Sequence, residues 1–130
     1  MSTMLAAFVS TTDAADPLSA LEVGERPVPE VPEGWVKVQL KAASLNHHDL
    51  WSLRGVGLPD NRLPMILGCD GAGIDEDGHE VIVHTVVSDP AWSGDETLDP
   101  KRSLLSERYQ APWPRRWWCP GATWCPSPPA

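Results

Sequence analysis

Short segments of alternating apolar and polar residues, each ended by proline or glycine, place the strongest constraint on this chain's fold. In residues 35–40, apolar side chains alternate with Lys37 and Gln39, which is the period of a half-buried strand. Three prolines occur in the segment 26–34 just before it. Because each proline fixes φ and removes a donor, we expect an extended, irregular connector there. Short strands with this punctuation predict a mainly β fold, either a small barrel or a sandwich.

The remaining chain up to residue 110 gives the same kind of signal. Apolar runs predict three more strands, at 5–9, 65–68 and 80–87. A short helix is predicted at 48–54, ended by Gly55 in a position that tolerates a left-handed conformation. We expect turns at 13–16 and at 75–78, and a loop bounded by Pro59 and Pro64.

Length and charge limit the function classes. A chain of 130 residues is one domain that buries about two thirds of its unfolded surface. The net charge of -8 makes nucleic acid and anionic membranes poor partners. The first four residues carry no basic side chain, and the apolar stretch 4–9 is too short for a signal peptide or a membrane span. We therefore expect a cytoplasmic protein with no nucleic-acid or membrane partner.

The chain has three cysteines, Cys69, Cys119 and Cys125. An odd number without a secretory signal argues against a disulfide framework. Cys119 and Cys125 are separated by five residues, but a zinc site would need two further ligands nearby, which this region lacks. We expect unrelated thiols.

Two motifs carry side chains suited to chemistry. The first is Leu-Asn-His-His-Asp-Leu at 45–50, and the second is Leu-Gly-Cys-Asp-Gly-Ala-Gly at 67–73. Together with the strand Val-Lys-Val-Gln-Leu-Lys-Ala-Ala at 36–43, their order and spacing resemble the N-terminal part of the medium-chain dehydrogenase/reductase superfamily, which includes alcohol dehydrogenases and quinone oxidoreductases. The resemblance covers about residues 5–110.

The resemblance implies a GroES-like, partly open β-barrel with short helices at residues 1–110, acting as the N-terminal catalytic domain. The barrel is expected to be incomplete, because the family closes it with later segments. In the family an NAD(P)-binding Rossmann domain follows, and no dinucleotide fingerprint occurs in this chain. NAD(P) is therefore implied by the family while its binding domain is absent from this sequence. We expect the chain alone to be inactive, since hydride transfer needs both halves of the site.

The glycines of the second motif need a separate explanation. Gly68, Gly71 and Gly73 match neither the dinucleotide fingerprint nor the Walker motif, and the acidic run at 75–77 would repel a pyrophosphate. We expect these glycines to allow close chain approach and positive φ at a barrel turn.

A catalytic zinc is not expected. In zinc-dependent members of the superfamily, a cysteine ligand stands where this chain has Asn46, and a histidine ligand stands where it has Cys69. Asn46 cannot supply a thiolate, and a neutral amide oxygen is a poor ligand for this borderline-soft ion. Asn46 followed by Asp49 is instead similar to zinc-independent quinone oxidoreductases.

That resemblance implies roles for five candidate residues. Asn46 would present its amide to the nicotinamide or to the substrate oxygen, as both a catalytic and a cofactor-binding residue. His47 or Asp49 would organise the loop, and Cys69 and Asp70 would lie beneath the same pocket. The reduced nicotinamide itself carries the hydride, so the protein needs to supply mainly orientation and a dry pocket.

Simpler explanations exist for the same side chains. One of the adjacent histidines, His47 and His48, can be a loop hydrogen-bonding residue, and a cysteine between small residues is usually packed core. His79 and His84 have no visible partner in the sequence, and we assign them no function.

After Gln110 the composition changes. Residues 111–130 hold four of the seven tryptophans, six of the fourteen prolines and no acidic residue. One interpretation is an irregular tail that binds a partner protein. The other is a frameshift: in the frame that starts at the third base of each codon, every Trp-Trp and Trp-Cys pair encodes valine. That reading gives a strand, a turn and a strand, as in the family's continuation, and loss of one base after Gln110 would cause the switch.

Two function hypotheses follow. The first is a fragment of a zinc-independent NAD(P)H-dependent oxidoreductase acting on a quinone or small carbonyl compound. The second is a non-catalytic GroES-like interaction module that binds a partner through its Trp/Pro tail. In either case an incomplete barrel exposes strand edges, through which the chain could associate with itself.

Overall fold

A computed structural model describes residues 3–31 and 35–110, together with two strands at 117–120 and 124–126. Within these residues the chain forms one α-helix, α1 (His47–Leu53), and three short 3-10 helices, Pro17–Ala20, Asp60–Arg62 and Glu96–Leu98. None of the described helices has the length and apolar character needed to cross a membrane. The strands are β1 (Thr3–Val9), β2 (Leu21–Pro27), β3 (Trp35–Ala42), β4 (Met65–Ile66), β5 (Gly71–Ile74), β6 (Glu80–Val83), β7 (Val86–Val87), β8 (Ser103–Leu104), β9 (Trp117–Pro120) and β10 (Trp124–Pro126).

The strands form three antiparallel sheets. Their orders are β2-β1-β4, β10-β6-β5-β3-β9 and β7-β8, and the sheets do not close into a continuous barrel within the described residues. The predicted class, a mainly β and partly open barrel with short helices, is confirmed. The helix α1 follows β3 directly and contacts the first 3-10 helix, so it covers one end of the three-stranded sheet.

Strand β3 shows why the alternation predicted a strand. Val38 and Leu40 are buried in the main core cluster, whereas Gln39 and Lys41 are exposed. A second cluster lies under α1, where Leu53 packs with residues of β1 and β4. The segment 65–69 leads into the second motif and contributes to both clusters: Ile66 and Cys69 belong to the main cluster, and Met65 and Leu67 belong to the second.

Strand β2 was not predicted. Arg26 and Pro27, assigned to the connector, are its last two residues. Among the described residues β2 pairs with β1 alone, and none of its residues is buried. Because neither face of β2 is buried, its sequence lacks the regular apolar alternation that predicts a strand. An edge position also tolerates Pro27, since one side of the strand has no partner.

Two other predicted strands have different bounds. The strand at 80–87 is interrupted, because Thr85 leaves the ladder: its hydroxyl donates to the carbonyl of Cys69 at 2.8 Å, and its carbonyl accepts from Leu105 at 3.1 Å. The strand at 65–68 is reduced to β4, and Gly68 turns the chain with φ +111°. The helix and the turn at 75–78 are found as predicted.

The glycines of β5 allow the close approach expected of them. A Cβ at Gly73 would lie 2.1 Å from the carbonyl oxygen of Gln39, and one at Gly71 would lie 2.5 Å from the side chain of Leu40. Of the three glycines in the second motif, Gly68 alone has a positive φ. The motif is therefore a turn that leads into a strand, which the sequence prediction missed.

Two short strands interrupt the tail that the sequence predicts to be irregular. β9 pairs with β3, and β10 pairs with β6, at the two edges of the five-stranded sheet. The rest of the tail lies outside the described part of the chain. Of Cys119 and Cys125 only the backbone is described, so the prediction that their thiols are unrelated stays a prediction.

Candidate functional site

One carboxylate joins the two motifs. Asp49, at the third position of α1, accepts hydrogen bonds from the backbone N–H of Asn46 at 2.9 Å and from that of Gly68 at 3.0 Å. The first bond satisfies a donor at the helix N-terminus that has no partner within the helix. Asp49 is 8% exposed. Its burial is compensated by these two bonds, and they hold the helix start against the turn at 68–70.

A second carboxylate lies beside it. Asp70 accepts from the backbone N–H of Ser44 at 2.8 Å, from the Ser44 hydroxyl, and from the side-chain amide of Asn46 at 3.0 Å. Burial raises the pKa of Asp70, but the bonds from Ser44 and Asn46 outweigh it and hold the pKa below its usual value. Asp70 is therefore an anion at neutral pH. Because a carboxylate only accepts, the nitrogen of the Asn46 amide must face it.

Cys69 lies between these groups but belongs to the main core cluster. Burial, together with the negative charges of Asp49 and Asp70, raises the pKa of its thiol to about 12 against an opposing hydrogen bond from Asn46. At neutral pH it is a protonated thiol, which is a weak nucleophile and a weak metal ligand.

A groove of about 460 Å³ opens next to this cluster. Its polar lining residues are Asn46, His47 and Asp49, and it contains no lysine or arginine. The two adjacent histidines diverge: exposed His47 lines the groove, whereas Nε2 of His48 contacts the carbonyl oxygen of Leu105 at 3.1 Å. The remaining residues that line the groove are aliphatic or glycine, namely Ala7, Leu18, Leu21, Leu45, Leu50, Leu53, Leu67 and Gly68.

The structure brings four of the five predicted site residues into one hydrogen-bonded cluster and places the fifth at the adjoining groove. The four are Asn46, Asp49, Cys69 and Asp70, and the fifth is His47. Sequence reasoning missed Ser44. Its only sequence signal is its place between a predicted strand and the first motif, and its partner Asp70 is 26 residues away.

His79 and His84, for which the sequence shows no partner, each lie beside a carboxylate in the structure. His79 Nδ1 lies 3.3 Å from a carboxylate oxygen of Asp75, and His84 Nε2 lies 2.5 Å from one of Glu96. Both contacts stabilise surface loops: the first closes the turn between β5 and β6, and the second ties the end of β6 to a 3-10 helix. Neither histidine lines the groove.

Potential metal ligands come together in a group of three at that same turn. Ligand atoms of Asp75, Asp77 and His79 lie within 4.8 Å of one another. Both oxygens of Asp75 already accept hydrogen bonds from the turn. Among the described residues, the groove and the two motifs hold no such group of histidine, cysteine and carboxylate ligands.

Comparison with known proteins identifies the family. The profile of the alcohol dehydrogenase GroES-like domain matches residues 32–97. A solved NAD-dependent alcohol dehydrogenase is 32% identical, with a TM-score of 0.79 over 96% of this chain. No curated protein sequence matched.

Two further structures share the fold at lower identity. The cobalt- and zinc-bound thermostable alcohol dehydrogenase from Pyrobaculum aerophilum is 19% identical with a TM-score of 0.81, over 99% of this chain and 43% of its own. The 2-octenoyl-CoA carboxylase reductase CinF from a Streptomyces species is 21% identical with a TM-score of 0.80, over 97% of this chain and 40% of its own.

This chain spans about 40% of the length of the NAD-dependent alcohol dehydrogenase. The matched part corresponds to the barrel that carries both motifs, and the resemblance to medium-chain dehydrogenases and reductases is confirmed. The chain belongs to the alcohol dehydrogenase GroES-like domain family.

Proposed function

We propose that this domain is the substrate-side half of a zinc-independent NAD(P)H-dependent oxidoreductase that acts on a quinone or a similar small carbonyl compound. The observation that carries the proposal is the hydrogen-bonded cluster of Ser44, Asn46 and Asp70 at the end of an aliphatic groove. An apolar pocket with a few convergent polar groups is the usual form of a small-molecule site.

The donor set does not fit a catalytic zinc. Zinc sites use deprotonated cysteine, neutral histidine or carboxylate ligands in tetrahedral geometry. Here the NH₂ group of the Asn46 side chain donates to Asp70. Because the hydrogens of that NH₂ group carry partial positive charge, they repel a cation placed between the two side chains. Cys69 belongs to the main core cluster and does not line the groove, and Asp70 already accepts three hydrogen bonds.

In the proposed reaction, NAD(P)H would supply the hydride when it is bound, and the substrate oxygen would take up a proton from solvent. The aliphatic walls of the groove exclude water and favour an uncharged substrate. Asn46, whose amide is fixed by Asp70, orients the polar end of the ligand. Asp49 holds the loop that carries Asn46 and His47.

Zinc retention tests the metal-free site. The purified chain and a Cys69→Ser variant are dialysed against Zn²⁺ and then against buffer, and bound zinc is measured by mass spectrometry. Both proteins carry Asp77→Asn and His79→Asn, which remove the ligand group at the surface turn. We expect the same zinc content in both. One equivalent of zinc that is retained by the protein with Cys69 and lost in the Cys69→Ser variant would contradict the proposal.

Activity measurements test whether the domain needs a second, cofactor-binding domain to transfer hydride. We expect the 130-residue chain alone to show no NADPH or NADH oxidation with a quinone or an aldehyde, because the described residues supply only one wall of a hydride-transfer site. Clear turnover by this chain would show that the barrel needs no second domain.

We also propose that residues 1–110 form the native domain and that residues 111–130 are read out of frame. The support comes from the positions of the valines in the shifted frame. That frame must encode valine across the codons of residues 117–118, 118–119 and 124–125, and all of these residues lie in β9 or β10. Resequencing the gene across the Gln110 codon tests this. A single-base correction that opens a frame with a Gly-x-Gly-x-x-Gly turn downstream is expected, and an unchanged sequence would refute the frameshift.

A further inference from the structure

We propose that Ser44 is a positioning residue of the candidate site: it fixes the Asp70 carboxylate and, through it, the orientation of the Asn46 amide. The significance for catalysis rests on the proposed function, whereas the positioning itself rests on geometry alone.

Ser44 binds the carboxylate at both oxygens. Its backbone N–H donates to Oδ1 of Asp70 at 2.8 Å, and its hydroxyl donates to Oδ2. Ser44 lies two residues beyond the end of β3, and Asp70 lies immediately before β5, which pairs with β3. The pairing of β3 with β5 therefore brings the two residues together, and the two hydrogen bonds oppose rotation of the carboxylate about its own axis.

The fixed carboxylate then selects one orientation of Asn46. The two ends of a side-chain amide have nearly the same shape but opposite hydrogen-bonding character. Asp70 Oδ2 accepts from Asn46 Nδ2 at 3.0 Å, and an anionic carboxylate offers no proton to the other end of the amide. A ligand in the groove consequently meets Asn46 in a single orientation.

Loss of the Ser44 hydroxyl should weaken this selection. Asp70 would keep one bond from the Ser44 backbone and one from Asn46, but its Oδ2 would lose a strong donor. The carboxyl group would then protonate at a higher pH that is still acidic, and in acid the protonated group could donate to the amide oxygen and allow the reverse orientation. At neutral pH Asp70 would stay an anion, but it and the Asn46 amide would be held less firmly. Ser44 is exposed, so its replacement leaves the core packing unchanged.

Nuclear magnetic resonance on the 130-residue chain tests the proposal without substrate or cofactor. The titration of the Asp70 carboxyl carbon and the side-chain NH₂ signals of Asn46 are followed in Ser44→Ala, Ser44→Thr and the exposed control Ser93→Ala. In Ser44→Ala we expect the Asp70 midpoint to rise by about one pH unit, and the Asn46 signals to shift. Ser44→Thr, which keeps the hydroxyl, should restore both, and Ser93→Ala should change neither.

The proposal is overturned if Ser44→Ala leaves the Asp70 midpoint and the Asn46 signals unchanged, or if Ser44→Thr fails to restore them. Asp70→Asn provides a second, independent variant: its amide can donate as well as accept, so the Asn46 signals should move there too, and unchanged signals would count against the proposal. None of these readouts depends on zinc or turnover, so the proposed function can fail while this inference stands.

Discussion

At the scale of single residues, the candidate site is organised by carboxylates whose hydrogen bonds come from the protein itself. Asp49 accepts from the backbone N–H of Asn46 in its own loop and from that of Gly68 in the second motif. Asp70 accepts from Ser44 and Asn46. In the proposed function, these two carboxylates contribute mainly by fixing the loop and the Asn46 amide that line the groove. The resemblance to a known family predicted that Asn46, Asp49 and Asp70 lie together and that His47 or Asp49 organises the loop. It did not predict that Ser44 and Asp70 fix the Asn46 amide.

Asp49→Ala tests the joining role. The variant leaves the N–H groups of Asn46 and Gly68 without their acceptor, and each buried unpaired group costs about 1–3 kcal/mol. We expect the free energy of unfolding in urea to fall by about 2–4 kcal/mol. Asp60→Ala, at an exposed position of a 3-10 helix, should change it by less than about 0.5 kcal/mol. Equal losses in the two variants would rule out a special role for Asp49.

The raised pKa of Cys69 gives a pH-dependent prediction. Its folded pKa of about 12 lies above the ordinary thiol value of 9.0, so the unfolded state loses its proton first. The contribution to stability is constant below pH 9.0 and decreases as the pH rises towards 12. In a chain with Cys119→Ser and Cys125→Ser, we expect iodoacetamide to alkylate Cys69 at pH 8 only after urea is added. Rapid alkylation of the folded protein would contradict the buried thiol.

Ser44 shows where residue-level prediction stopped. A serine between a strand and a loop is common, and its bond to Asp70 connects positions 26 residues apart. Only the pairing of β3 with β5 brings the two residues together. No local spacing encodes that contact.

At the scale of elements, prediction succeeded where one face of a strand is buried and failed where a neighbouring strand determines the structure. Residues 35–40 alternate because the core lies on one side of β3. β2 is an exposed edge strand, and β5 contains glycines that usually signal turns. Both form strands because β1 and β3 supply their hydrogen-bond partners.

Gly73→Ala tests the close approach of β3 and β5. The new Cβ would lie 2.1 Å from the Gln39 carbonyl oxygen, and the backbone must move to accept it. We expect a loss of about 3 kcal/mol or more in the free energy of unfolding. Gly24→Ala is the matched control, because its Cβ would meet Phe8 at an ordinary 3.8 Å. Thermal unfolding of both variants is the measurement, and a Gly73→Ala protein as stable as the control would contradict the packing.

At the scale of the whole molecule, apolar side chains remain exposed on the three-stranded sheet and around the groove. Leu5 is 58% exposed, Val23 is 68% exposed and Leu45 is 84% exposed. β2 also has no strand partner on its outer side among the described residues. Exposed apolar edges of this kind favour association between chains.

We therefore expect the purified chain to associate as its concentration rises, as measured by sedimentation velocity. Val23→Lys places a charge on the edge strand and should weaken association about tenfold or more, because a buried lysine would lose its hydration. Leu98→Lys, at a similarly exposed position on the last 3-10 helix, should leave association unchanged. A chain that stays monomeric at all concentrations would exclude β2 as a surface for self-association.

The contact between β3 and β5 also limits how the site can be redesigned. Gly71 and Gly73 leave no room for a side chain between β5 and β3, so a protein engineer cannot alter the second motif at these two positions. The walls of the groove are different, because Leu18 and Leu45 are largely exposed and contribute little to the core. A library that tests the groove as the proposed substrate site should therefore vary these leucines and keep the glycines constant.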